Sequence, residues 1–383
     1  MRVLAAGVCS LVLSMGIARF AYTPLLPLMQ QQAGLGIPEA ATLAAINYGG
    51  YLCGALIAAM INDLRLKDRL YRIGMLVAVA STAMMGLTSD FHLWSAFRFV
   101  AGLTSAAGLL LGSGLILNWL IRHDHHSELG IHFSGVGLGI ALCSAAVLIM
   151  YPALAWDSQW QVLAGLGCLL LWPALGWLPR PDPAAAVSRN GRSMHDNPPG
   201  RLFLGLFMAF YFCAGIGHVV TSTFIVAVID RMPHLSGSGA WVFLVIGLAA
   251  APSCMVWDLI ARRIGEINAL IAATMLNIIG ILLPLHGGGL VPALAGALLF
   301  GGTTMGIVSL VLTMAGKYYP TRPAKMMGKM TVAYGVAQIV GPAVTGHLAT
   351  ANGSYVGGLH LAAATMLVAA FLLLSLRQLE HQR

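Results

Sequence analysis

Apolar windows of about twenty residues, the length that crosses a hydrocarbon core as a helix, recur along the whole chain. A first set lies near 3–29, 40–61, 70–89, 91–120, 129–151 and 159–178, and a second near 202–229, 239–260, 267–286, 290–315, 324–350 and 355–376. Between the sets runs PRPDPAAAVSRNGRSMHDNPPG, rich in Pro, Gly, Ser and charge, which reads as an extended, solvated linker. MPHLSGSG at 232–239, HGGG at 286–289 and NGS at 352–354 mark turns between spans. The pattern predicts an all-α integral membrane protein with twelve transmembrane helices: a six-helix bundle over 1–178, a cytoplasmic linker over 179–200 and a second six-helix bundle over 201–383.

Composition narrows the class. Of 383 residues 58% are hydrophobic and 9% charged, with a mean hydropathy of +0.82. That is too little charge to solvate a globular surface of this size. The net charge of +8 does not indicate nucleic acid, because the cations sit between apolar runs and form no basic stripe with interleaved aromatics. They carry topology instead. With the N-terminus placed inside, the inner loops collect Arg2, Arg65, Lys67, Arg69, Arg72, Arg122, Arg180, Arg189, Arg192, Arg201, Arg262, Arg263, Lys317, Arg322, Lys325, Lys329, Arg377 and Arg383. The outer loops keep only Arg231. This asymmetry predicts cytoplasmic N- and C-termini in a bacterial-type inner membrane.

The opening residues have a basic start and an apolar centre, but the apolar run continues to Met29 without a cleavage site, so a retained first span is expected. Six cysteines, Cys9, Cys53, Cys143, Cys168, Cys213 and Cys254, fall inside apolar runs without CxxC spacing and are expected to be free, buried thiols.

Within this apolar chain the chemistry is sparse. Arg19, in GIARFAYTPLLP, places a permanent charge in the first span, with Tyr22 and Thr23 on the same helix face. It either meets an anion or water, or ties helices together and snorkels to a headgroup. Gly16-Ile17-Ala18-Arg19 aligns with Gly215-Ile216-Gly217-His218 in the seventh span, and Arg2 precedes Arg19 by the interval at which Arg201 precedes His218. Both polar residues therefore fall at one depth, ~25 Å from the inner boundary at 1.5 Å per residue.

All thirteen acidic residues lie in loops or near span ends, which leaves His218 as the titratable group best placed for proton coupling. A charge balance left open at Arg19 favours an anionic ligand. Tyr22, Tyr211, Tyr334 with Gln338, and Asn47 with Tyr51 are further candidates for the substrate site, each equally able to serve as interhelical glue. His132, His347 and His360 are weaker candidates, and His123, His125 and His126 read as solvated rather than metal-binding.

Two loops carry paired signals. Asp68-Arg69-Leu70-Tyr71-Arg72 after the second span resembles the inner-loop signature Asp-Arg-x-Gly-Arg of the major facilitator superfamily, with Tyr71 in place of the glycine. Trp257-Asp258-Leu259-Ile260-Ala261-Arg262-Arg263-Ile264-Gly265 after the eighth span is a second copy. Arg98-Phe99-Val100-Ala101-Gly102 is similar to the family's Arg-x-x-x-Gly motif in the fourth span. The resemblance covers essentially the whole chain, and GIARFAYTPLLPLM resembles its YbfB/YjiJ-type branch.

The resemblance implies two parallel six-helix repeats that rock around a central site. It also implies a cytoplasmic gate built from Asp68, Arg69, Arg72, Asp258, Arg262 and Arg263, and a proton-coupling role for Arg98. Gly135, Gly137 and Gly139 in the fifth span are explained by close helix packing alone.

The function expected is secondary active transport of a small organic anion, proton-coupled through His218 and Arg98. The alternatives are an efflux carrier for apolar or cationic compounds and a non-transporting sensor or scaffold. Convergent metal ligands, a nucleophile with its base and a nucleotide-binding loop are all missing from the sequence, so no enzyme, cofactor or metal is expected. The partners expected are a small-molecule substrate and membrane lipid, with no nucleic acid, around a monomer.

Overall fold

The computed structural model describes residues 2–61, 63–123, 129–151, 153–181, 199–318 and 323–381, and these form an all-helical bundle. The first six rods are α1 (Arg2–Gln32), α2 (Ile37–Met60), α3 (Leu64–Met85), α4 (Phe91–Leu120), α5 (Leu129–Met150) and α6 (Trp156–Gly176). The last six are α7 (Arg201–Ile229), α8 (Gly239–Ile264), α9 (Glu266–His286), α10 (Leu290–Tyr318), α11 (Pro323–Asn352) and α12 (Val356–His381). Most of the linker read from the sequence, and His125 and His126, lie outside the described residues.

Nine of the described helices are long and apolar enough to cross a membrane; α3, α6 and α11 are the long helices outside that group. The reason is visible in α3. Its first turns carry Arg65, Lys67, Asp68, Arg69 and Arg72, while Asp63 caps the start by accepting the Arg65 N–H at 3.0 Å. Hydropathy placed this span at 70–89, because it senses lipid, whereas the cap extends the helix into water.

The pairing of the first six helices recurs in the last six. α1 packs on α5 as α7 packs on α11, α2 on α4 as α8 on α10, and α3 on α6 as α9 on α12. The two sets meet along α2–α11 and α5–α8. At the second seam glycine is required, because a Cβ on Gly247 would lie 2.4 Å from the Ala141 nitrogen and one on Gly137 would lie 2.3 Å from the Ala251 nitrogen. The outside of the bundle is apolar, with Met60, Ile149, Leu169, Trp172, Val291 and Phe371 all exposed, as a lipid-facing surface demands.

All six cysteines are free, but the expectation that they are buried holds only in part. Cys143 and Cys254 are buried, Cys9 and Cys213 half-buried, and Cys53 and Cys168 exposed. An apolar run in a membrane helix has a lipid face as well as a packed one, and these two thiols lie on the outside.

α1 is irregular where it matters. Pro24 has no N–H for the Phe20 carbonyl, and its ring crowds that carbonyl. The preceding stretch, Val12–Phe20, is wound as a π-helix, with the Ala21 N–H on the Gly16 carbonyl at 2.9 Å. A second widened turn, Ala107–Leu111 in α4, stands against it. There Ser105 Oγ donates to the Ser14 carbonyl at 2.9 Å, and a Cβ on Gly108 would meet Ser14 Oγ at 2.0 Å. Widened turns of this kind recur at functional sites.

Candidate functional site

Arg19 leaves the widened part of α1 and is 3% exposed. Its guanidinium lies 4.6 Å from the Tyr48 ring centroid and 4.3 Å from that of Tyr51, both on α2. One amino group donates to Gln338 Oε1 on α11 at 3.2 Å and the other faces Met15 Sδ at 3.9 Å. Nε has no partner. Among the described residues no carboxylate pairs with this charge. Aromatic faces and a neutral amide stabilise a guanidinium by a few kcal/mol together, which leaves a buried cation with room for an anion in its electrostatic balance.

His218, at the repeat-equivalent position on α7, is 2% exposed. Its Nδ1 is 3.1 Å from Tyr334 Oη, and Nε2 has no partner. Tyr334 stacks on Tyr211 with centroids 4.6 Å apart, and Phe300 stands edge-on to the imidazole. Arg19 and His218 thus converge on one helix: Gln338 holds the first and Tyr334, one turn earlier on α11, holds the second. The structure brings Arg19, Tyr51, Tyr211, His218, Tyr334 and Gln338 into one cluster.

The remaining candidates have other partners. Arg98, 3% exposed, donates to the carbonyls of Ala18 and Arg19 at 3.3 Å each and lies 4.5 Å from the Tyr22 ring. It serves the backbone of α1 next to the proline-disrupted turn. Tyr22 donates to the Ala40 carbonyl at 2.9 Å. Asn47 donates to the Arg98 carbonyl at 2.7 Å, in a seam where a Cβ on Gly102 would lie 1.9 Å from the Asn47 oxygen. These three bind α1, α2 and α4 together beside the cluster. His132 is buried against Ser113 at 2.9 Å inside the first set, His347 and His360 are exposed, and His123 stacks on Trp119.

Sequence reasoning missed Tyr48 and Phe300. Tyr48 stands three residues before Tyr51, and that spacing alone would have placed both on one face. Phe300 had no signal in an apolar run.

The two ends of the bundle differ. Where α1 finishes, polar contacts cross between the sets. Thr23 donates to the Ser222 carbonyl at 3.0 Å, Tyr48 Oη meets Thr223 Oγ1 at 3.0 Å, and Gln30 donates to Tyr355 Oη at 3.1 Å. Tyr355 in turn donates to the Ile37 carbonyl at 3.0 Å. Arg231 donates across to Gln30 Oε1 at 3.1 Å and, within the second set, to the Gly353 carbonyl at 3.0 Å. Its neighbour Asp230, which accepts the Gly239 N–H at 2.7 Å, has its carboxyl pKa raised by burial, with the N–H groups of Gly239 and Gly237 opposing the shift.

At the opposite end, Arg72 Nε lies 2.9 Å from both Asp68 oxygens, and its amino groups donate to the carbonyls of Leu175 and Leu178 at 3.0 Å. Asp258 pairs with Arg262 at 2.6 Å, Glu266 pairs with Lys317, and Arg69 and Arg263 are exposed. Each of these three ion pairs lies inside one set.

A long apolar bundle with a buried, uncompensated cation where its two sets meet is the shape of a carrier, and comparison decides which. Residues 11–374 match the family described as "Uncharacterised MFS-type transporter YbfB". The chain belongs to that family. It is a multi-pass membrane protein and a transporter of the MFS type.

It is 23% identical over 279 residues to the MFS-type transporter YceJ of Bacillus subtilis (strain 168), covering 70% of this chain and 69% of YceJ. It is 22% identical over 179 residues to the efflux pump radE of Floropilus chiversii, covering 46% of this chain but only 33% of the pump. The fold is that of the nucleoside transporter NupG, with a TM-score of 0.74 at 14% identity over 97% of this chain and 98% of NupG. A point variant of NupG gives a TM-score of 0.77. In this MFS-type transporter the cluster around Arg19 therefore stands where two helix sets meet, with small-molecule passage as the family's work.

Proposed function

We propose that this transporter moves a small organic anion by alternating access, with Arg19 as the anion-binding group and His218 as the group that couples binding to a proton. The observation that carries the reading is the Arg19 guanidinium, 3% exposed between Tyr48 and Tyr51, with an unpartnered Nε and, among the described residues, no carboxylate paired to it. A bound anion completes that balance. Tyr51, Tyr211, Tyr334 and Gln338 shape the site, while Tyr22, Asn47 and Arg98 hold α1 in place around it, Arg98 influencing coupling through the α1 backbone.

In the same reading all twelve rods span a bacterial-type inner membrane in two six-helix units, 1–178 and 201–383, with a cytoplasmic linker, cytoplasmic termini and a monomeric assembly. The end where α1 finishes is then the outer face, held shut by contacts between the sets. The Asp68 and Asp258 loops face the cytoplasm, where Asp68, Arg69, Arg72, Asp258, Arg262 and Arg263 form the gate. This arrangement corresponds to a carrier closed to the outside.

The likeness to an efflux pump and the aromatic lining favour a second reading, export of apolar or cationic compounds. One experiment separates the two: thermal stability of the purified protein against small carboxylates, amino acids, sugars and cationic drugs, with Arg19→Gln alongside. A ligand raises the melting temperature by mass action. Stabilisation of the wild type by a carboxylate, lost in Arg19→Gln, is expected. Stabilisation by cations in both proteins makes Arg19 structural and selects efflux.

A further inference from the structure

We infer that the anion carried at this site is a ring-bearing monocarboxylate with a second hydrogen-bonding group on the far side of its ring, a hydroxy-substituted aromatic acid being the simplest case. This rests on the anion reading above and adds the number of charges, the shape and the second polar end.

The number of charges follows from what is already engaged. Of the two buried arginines, Arg98 gives Nη1 to the carbonyls of Ala18 and Arg19 and packs on the Tyr22 ring, inside the first set, although its Nε is unpartnered like that of Arg19. Arg19 alone faces the second helix set, where His218, Tyr334 and Gln338 are its polar counterparts. One cation on one side and neutral groups on the other suit one carboxylate, whereas a second carboxylate would be buried without a partner.

The second polar end follows from orphaned atoms. His218 Nε2 is buried and unpartnered although Nδ1 is engaged, and Thr221 Oγ1, three residues on in α7 and 1% exposed, is unpartnered as well. Buried polar atoms are rarely left so. Unpartnered buried atoms also occur where helices simply pack, as at Asn47 Oδ1 and Asn277 Oδ1, but Arg19 Nε and His218 Nε2 belong to the two groups that α11 holds, and there a ligand supplies what the protein lacks.

The shape follows from spacing and lining. The residues that hold Arg19 and His218, Gln338 and Tyr334, are one turn of α11 apart, ~6 Å along the axis, about the length of a para-substituted benzene ring. Tyr51, packed on Arg19, the mutually stacked Tyr211–Tyr334 pair, and Phe300, edge-on to His218, surround these two groups with aromatic side chains, company that suits a ring.

The test is equilibrium binding to the purified full chain of 4-hydroxybenzoate, benzoate, 4-hydroxycyclohexanecarboxylate, lactate and terephthalate, followed by counterflow in liposomes for whichever binds. 4-Hydroxybenzoate is expected to bind about tenfold more tightly than benzoate, the value of one hydrogen bond to an otherwise unpaired buried group. It should also exceed the saturated-ring analogue, lactate and terephthalate. In His218→Phe the gap between 4-hydroxybenzoate and benzoate should close, and in Arg19→Gln both should lose binding.

The wild-type series decides the matter even where a variant fails to fold. Equal binding of 4-hydroxybenzoate and benzoate, or binding of lactate or terephthalate as tight and as Arg19-dependent, overturns this inference and leaves the anion reading standing. Binding of no carboxylate, or carboxylate binding untouched by Arg19→Gln, overturns both.

Discussion

The two ends of the bundle are built from similar residue types but use them differently. Around Gln30, polar side chains reach from one helix set to the other: Thr23 to Ser222, Tyr48 to Thr223, Gln30 to Tyr355, and Arg231 to Gln30. Around Asp68 the ion pairs stay at home. Asp68–Arg72 ties α3 to the end of α6, Asp258–Arg262 lies within α8, and Glu266–Lys317 joins α9 to α10.

Contacts between sets must break when the sets rock, whereas contacts within a set travel with it. In the alternating-access reading proposed above, the Gln30 end is the state-dependent lock, and the pairs at the Asp68 end, which stay within one set here, are those of an open gate. The cluster around Arg19 lies between the two ends and shares Tyr48 with the lock.

The largest expected effect comes from breaking the seam that joins both ends. Gly247→Leu drives a side chain into the Ala141 backbone, 2.4 Å from where its Cβ would sit. Overpacking of this kind costs about 1–3 kcal/mol or more, so folded, monodisperse protein should fall sharply on size exclusion. Asp68→Asn removes a two-oxygen, partly buried ion pair and should cost about 1.5–3 kcal/mol. Melting temperature should drop while spin-label distances at both ends stay fixed, since the pair is internal to one set. A change in those distances would make Asp68 part of a lock after all.

Arg231→Ala should act the other way. Losing its one hydrogen bond across the lock, to Gln30, costs about 1 kcal/mol, about a fivefold shift in the balance of states. Labels at Gln31 and His234 should move apart with little change in melting temperature. The smallest effect belongs to Arg262→Ala, whose pair with Asp258 is 74% and 47% exposed and contributes within about 0.5 kcal/mol. Neither stability nor label distances should change measurably.

Much of the cluster was legible in the sequence, because a membrane interior makes polar residues conspicuous. Arg19, His218, Tyr211, Tyr334, Gln338 and Tyr51 stand out against apolar neighbours, and the structure gathers all six. Tyr48 lay one residue from a named candidate and was passed over. Asn47, Tyr22 and Arg98 stand out equally, yet they serve the packing of α1 against α2 and α4. Conspicuousness marks a residue that needs partners, and it says nothing about which partners. The lock was invisible for the opposite reason: Gln30, Arg231 and Tyr355 lie at span ends, where polar residues are ordinary.

By itself the sequence determined the membrane class, the order of the helices and the presence of a deep cation, Arg19, with no carboxylate at its depth. Transfer of a segment into lipid is close to a sum over its own residues, so it is readable locally. Only the tertiary structure decided that Arg19 meets Gln338, 319 positions away, that Arg98 is occupied by the carbonyls of α1, and that two cysteines face outward. A side chain on a membrane helix faces lipid, a neighbour or the site according to how the helix is rotated, and rotation is set by close packing against the whole bundle, which no single segment contains.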